Sequence, residues 1–158
     1  MGLGVASSGV HSYGYSLVRH VVAKTGLSYE DAAPFAPGKK LGEALMAPTK
    51  IYVVPVQKAI AVNDADGGPA IHAMAHITGS GLPGNAARTI PEHFAVQLDC
   101  AAWTLPPVFA WLARAGNLAP SDLAETFNCG IGLVVVAAGI SSRCGQFFEL
   151  HRAGRAAV

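Results

Sequence analysis

TFNCGIGLVVV, residues Thr126–Val136, is the stretch on which the reading of the fold turns. A helix end, an asparagine and a Gly-x-Gly lead straight into a hydrophobic run, so Gly132–Val136 is predicted as a buried strand. The order is helix to strand, whereas the dinucleotide-binding turn of a Rossmann sheet runs strand to helix. The glycines therefore read as a tight turn with close helix–sheet packing. As a nucleotide fingerprint they are weak.

Outward from this strand, helices and strands alternate. Ser121 is expected to cap a helix to Phe127, and Pro107–Ala115 is an amphipathic helix with proline at its start and Gly116 after its end. Phe94–Leu98 alternates as a half-buried strand does. Near the N-terminus, Leu17, Val18, Val21 and Val22 recur at helical spacing in a helix Ser12–Lys24, with Ser12 as N-cap and Gly26 as its stop. A polar connector, Ser28–Lys40, precedes a short helix, Leu41–Met46, that ends before Pro48.

Lys50–Val54 is β-branched and aromatic and reads as a strand stopped by Pro55, followed by a helix Val56–Val62. Asn63–Pro69 is an exposed loop. Ile71–Thr78 reads as a helix running into a strand, and Asn85–Ile90 as a helix start. The class is α/β or α+β in two or three layers, with a mixed sheet flanked by helices and Phe94–Leu98 and Gly132–Val136 as core strands. No internal repeat or linker divides the chain.

The composition narrows the function. The 158 residues are 51% hydrophobic and 13% charged, enough for one domain with a real core and too apolar for a disordered tail. The net charge of +1 gives no electrostatic case for nucleic acid, and Lys and Arg form no run. Cys100, Cys129 and Cys144 are far apart with no Cys-x-x-Cys, which fits a reduced, cytoplasmic setting. The longest apolar stretch, Ile131–Ile140, falls short of the roughly 20 residues of a membrane span. MGLGVASSGVHSYG has neither the charged start nor the apolar core of a signal peptide, and its MGLGVAS only superficially fits a myristoylation pattern.

Three stretches carry candidate chemistry. HITGSGLPGN, His76–Asn85, concentrates three glycines, and glycine costs roughly 0.5–1 kcal/mol against alanine inside a regular element. Either it is a surface turn, or its backbone approaches a phosphate where a Cβ would intrude. Arg88, within a turn of Asn85, would pair with an oxyanion, and His76 and Thr78 would share one side of an extended segment. SSGVHSYGYSLVR, Ser7–Arg19, sets Ser8, Gly9, His11 and Ser12 before a helix, where exposed amides suit an anion and His11 would contact a ligand or relay a proton. The plainer reading is an N-capped helix. His72 and His76 lack a third ligand for a metal, and Asp64 and Asp66 read as solvated loop residues.

Taken in order, SSGVHSYGYSLVR, APTKIYVVPV, AHITGSGLPGNAARTIP, PPVFAWL and TFNCGIGLVVV resemble the aminoimidazole ribonucleotide synthetase family, the phosphoribosylformylglycinamidine cyclo-ligases of purine biosynthesis. The likeness covers most of Ser7–Val136, and residues 137–158 read as a divergent or truncated end. The resemblance implies a C-terminal, three-layer α/β/α domain with a mixed sheet that works with an N-terminal ATP-binding domain carrying most of the nucleotide site and the dimer interface, and it leaves a homodimer open. It implies ATP and Mg²⁺ as cofactors, formylglycinamidine ribonucleotide as substrate, and a cytoplasmic enzyme, or an organellar one if a transit segment precedes it.

His11 is then the candidate catalytic residue. Ser8, Gly9, Ser12, His76, Thr78, Gly79, Ser80, Gly81, Asn85, Arg88, Asn128 and Gly130 are the candidate phosphate and substrate contacts. His11, Gly79, Gly81, Asn85 and Arg88 are expected to converge on one pocket. No metal ligands are assigned, and the isolated chain is expected not to turn over ATP. Family members usually carry Asn, Gly, Arg and Met where Tyr13, Ser80, Lys50 and Cys129 stand. The alternatives are a related phosphoryl-transfer enzyme (thiamine-phosphate kinase or selenophosphate synthetase-like) and a non-catalytic phosphoribosyl-binding fragment.

Overall fold

Residues 131–137 are buried at six of seven positions, and they form the strand around which the sheet is laid. The computed structural model describes residues 2–64, 66–137 and 147–152. In chain order these contain β1 (Gly2–Ala6), α1 (Tyr15–Thr25), α2 (Leu41–Leu45), α3 (Val53–Ile60), β2 (Ile71–His76), α4 (Gly81–Ala87), β3 (Phe94–Gln97), α5 (Pro107–Gly116), α6 (Pro120–Thr126), β4 (Ile131–Ala137) and β5 (Phe147–Arg152). The strand order is β2-β4-β1-β5-β3. Every described pairing is antiparallel, so the fold is α+β and the sheet is not the mixed one expected.

Alternation along the strands separates two faces. Val134 and Ala75 pack with Ile77 and with Leu82 of α4, while Leu133, Val135 and Met74 pack with Tyr52 and with Val56 of α3. The largest apolar cluster is helical. Val18, Val21 and Val22 of α1 meet Phe109, Trp111 and Leu112 of α5, closed by Leu41, Leu45 and Phe127. Burying a side chain such as Phe109 or Leu112 contributes roughly 1.5–3 kcal/mol. Gly116 lies inside α5 because α1 comes so close there that a Cβ would stand 2.8 Å from Val21 Cγ2. The helix is instead closed by Asn117 in the left-handed region (φ 53°), which asparagine tolerates.

Several boundaries move. Residues 50–54 are not a strand: α3 begins at Val53, because Pro55 falls in a first turn, where its missing N–H costs nothing. Ile71–His76 is strand throughout, and α4 starts at Gly81 rather than Asn85. Ser12 and Ser121 do not cap their helices; Gly14 (φ 79°) and Ala119 hold those positions. Phe94–Gln97 is a strand at the sheet edge with exposed residues, not a core strand. Residues 138–146 and 153–158, Cys144 among them, lie outside the described residues. Among the described residues no helix is long and apolar enough to cross a membrane.

Candidate functional site

Pairing Ala6 with Ile131 and His76 with Leu133 brings three turns to one end of the sheet. These are the turn after β1, the turn after β2 and the turn before β4. The Ser7 amide donates to Gly130 O and the Ile77 amide to Gly132 O, extending the ladder into the turns. The three motifs read from the sequence are therefore neighbours in space. Tyr13 and Gly79 mark where the first two meet: a Cβ on Gly79 would stand 3.9 Å from the Tyr13 ring.

Two buried amides hold these turns. Asn128 accepts at Oδ1 from Ser7 Oγ and from the Gly130 amide, both at 2.8 Å, and donates from Nδ2 to Gly9 O (2.9 Å) and Val10 O (3.3 Å). Asn85 donates from Nδ2 to Thr78 O, Gly79 O and Gly81 O, and accepts from Thr78 Oγ1. Both side chains were candidates for ligand contact. Their hydrogen-bonding capacity is spent inside the turns instead. Arg88 folds back on its own helix, donating to Gly84 O and Asn85 Oδ1.

The glycines divide in the same way. A Cβ at Gly81 would overlap the Ala124 carbonyl oxygen of α6, and one at Gly84 would lie 2.9 Å from Ser80 Cβ. Those two serve packing within the chain. Gly79 is exposed and meets only Tyr13, so it is the glycine of the loop whose lack of a side chain no packing within the chain explains. Gly130 (φ 101°) has both a positive φ and the Pro106 ring against it.

His11 is buried, 2% exposed, with φ 64°. Its Nε2 accepts from the amides of Ser8 (3.1 Å) and Lys50 (3.4 Å). The Ser8 hydroxyl, 3.1 Å from the same nitrogen, donates to Pro48 O. This network assigns the proton to Nδ1, which has no partner among the described residues. An imidazole accepting at Nε2 and protonated at Nδ1 takes a further proton only by giving up its Nε2 hydrogen bonds. Of the two roles read from sequence, the geometry supports the polar contact over the relay.

Burial, then the positive charges of His76 and Lys50, push the His11 imidazole below its ordinary 6.5. As pH falls below the unfolded value, the unfolded chain binds a proton that the folded chain refuses, so folding stability declines until the lower folded value is reached. Urea unfolding between about pH 8 and 5 is expected to show this slope. In His11→Asn, which keeps a residue tolerant of positive φ, that part of the slope should be lost.

Lys50 and Tyr52, which the sequence offered as part of a strand in the APTKIYVVPV stretch and not as site residues, also stand at this end. The Tyr52 hydroxyl donates to Ala6 O, and its ring lies 6.4 Å from His11 and 6.0 Å from His76. Gly132 is glycine because the Tyr52 hydroxyl occupies the space a Cβ would need. Ser12 Oγ meets Thr49 Oγ1 at 2.9 Å, and a cleft of about 940 Å³ opens beside them, lined by His11, Ser12, Arg19, Tyr29, Lys40 and Thr49. Among the described residues no three His, Cys, Asp or Glu side chains gather to hold a metal ion.

The family described as "AIR synthase related protein, C-terminal domain" matches residues 3–157 of this chain. The chain belongs to that family. Its match spans the three turns and continues past β4, so this AIR synthase-related domain carries the motif-bearing sheet end as part of the shared fold. Membership places it in a superfamily of kinase- and ligase-like enzymes.

Proposed function

We propose that this AIR synthase-related domain is the substrate-binding half of an ATP-dependent cyclo-ligase that closes formylglycinamidine ribonucleotide to aminoimidazole ribonucleotide. The observation that carries the reading is the meeting of the three motif turns at one sheet end, with exposed Gly79 beside Tyr13 and the buried His11 Nδ1–H nearby. A phosphorylated ribosyl ligand presents oxygens that accept hydrogen bonds, and the His11 Nδ1–H is a donor without a partner among the described residues.

In this reading phosphorylation by ATP would make the formyl oxygen a leaving group, and Mg²⁺ would be the metal that accompanies the nucleotide. The described residues do not fit the metal, having no carboxylate cluster, and those groups are assigned to a partner ATP-binding domain. This domain's part is to bind and orient the substrate so that its internal nitrogen reaches the formyl carbon, and to keep water from that carbon.

The test is ADP release dependent on formylglycinamidine ribonucleotide, measured with the chain alone and with an ATP-binding domain fused or added. Turnover is expected only with the added domain. Gly79→Val should fold with an unchanged melting temperature, because Gly79 is exposed with only Tyr13 near it, and should weaken the substrate by tenfold or more. Binding of the substrate without turnover in either arrangement would favour a non-catalytic role.

A further inference from the structure

Lys50 is exposed, and among the described residues it makes no ion pair; the salt bridge present there, Lys40–Glu30, involves neither it nor its neighbours. Its backbone and its ammonium each have one neighbour in the site. The Lys50 amide donates to His11 Nε2, and its Nζ stands 5.9 Å from the centroid of the Tyr52 ring, within cation–π range. Tyr52 is itself held at both ends, its ring 8% exposed beneath Lys50 and its hydroxyl bonded to Ala6 O at 3.0 Å. The Lys50 charge acts on the His11 ring.

Two donors at this end of the sheet therefore stand without an acceptor among the described residues. The Lys50 ammonium supplies charge, and the buried His11 Nδ1–H is a donor with no partner among the described residues. An acceptor-only group satisfies such a set, and a phosphate dianion gains more from it than a neutral hydroxyl or amide does.

We infer that Lys50 binds the phosphate monoester of the ligand, with Tyr52 as the post that holds its ammonium at the sheet end. This rests on the reading that the domain takes a phosphorylated ribosyl substrate, and it adds the residue that recognises the anion. Arginine at this position would offer a planar fork, whereas lysine offers a point charge that tolerates several phosphate orientations.

Inorganic phosphate titrated into the full ¹⁵N-labelled chain, followed by NMR, tests the inference. In the wild type, phosphate should shift the Lys50 amide and the His11 ring nitrogens. Lys50→Met should weaken phosphate by about tenfold, the scale of losing one charged hydrogen bond, and Lys50→Arg should restore it to within a few-fold. The melting temperature of Lys50→Met should stay unchanged, since the side chain is exposed. Phosphate bound by Lys50→Met within twofold of wild type would overturn the inference, as would a wild type with no phosphate-dependent shift. The cyclo-ligase reading fails separately. Substrate-dependent ADP release with an unchanged KM in Lys50→Met removes the role of Lys50 and leaves that reading standing.

Discussion

Gly81→Ala is expected to lower the melting temperature by roughly 10 °C and to remove ligand binding with it. At φ 62° the residue sits in the left-handed region, where a Cβ costs roughly 1–2 kcal/mol. The added methyl would overlap the Ala124 carbonyl oxygen, which is helix backbone and cannot swing aside. Prising α4 from α6 to admit it adds about 1–3 kcal/mol, as overpacking does elsewhere. For a chain of this size about 3 kcal/mol corresponds to that shift in melting temperature. Thermal unfolding followed by circular dichroism measures it. A loss of only a degree or two would mean that α4 is not seated on α6 as described.

Asn128→Ala should cost about 3–4 kcal/mol, because it strips four hydrogen bonds from a residue that is 3% exposed. The carbonyls of Gly9 and Val10 and the amide of Gly130 would be left facing a small void. Each buried unpaired group costs about 1–3 kcal/mol, with entering water recovering part of the total. The effect reaches function through geometry. Asn128 ties the turn that carries His11 to the turn before β4, so the variant should also lose the phosphate-dependent shifts at His11. Urea denaturation gives the stability. Loss of less than about 1 kcal/mol, the yield of a single ordinary hydrogen bond, would contradict the role given to this side chain.

Elements with one dominant signal were legible in the sequence. The Gly132–Val136 run is buried on both faces and so carries no alternation to misread. α1 and α5 show their apolar stripes at helical spacing. Residues 50–54 misled because β-branched and aromatic residues favour strands in general, while here Tyr52 is needed under the sheet end and Pro55 starts a helix. β1 went unseen: GLGVA has glycine at alternate positions and gains its strand character from β4, far along the chain. Phe94–Gln97 alternates correctly, but its edge position depends on the order of strands, which alternation does not contain.

The site was half legible in the same sense. Residue types drew attention to the three turns, and those turns do meet. The purposes of individual residues were hidden, because they depend on tertiary neighbours. Gly81 and Gly84 are small for the sake of Ala124 and Ser80, and Asn85 and Asn128 bond the backbone of their own turns. Lys50 and Tyr52 were hidden by the strand reading of their segment.

The most direct test of the central claim, that the three turns form one site for a phosphorylated ribosyl ligand, is an NMR titration. Formylglycinamidine ribonucleotide is added to the ¹⁵N-labelled chain and the amide shifts are mapped. The largest shifts are expected at Tyr13, Gly79 and Lys50, with the His11 ring nitrogens moving at the same ligand concentrations. Shifts confined to the apolar groove between α3 and the sheet, around Val56, Ile71 and Met74, or no shift at millimolar ligand, would contradict it.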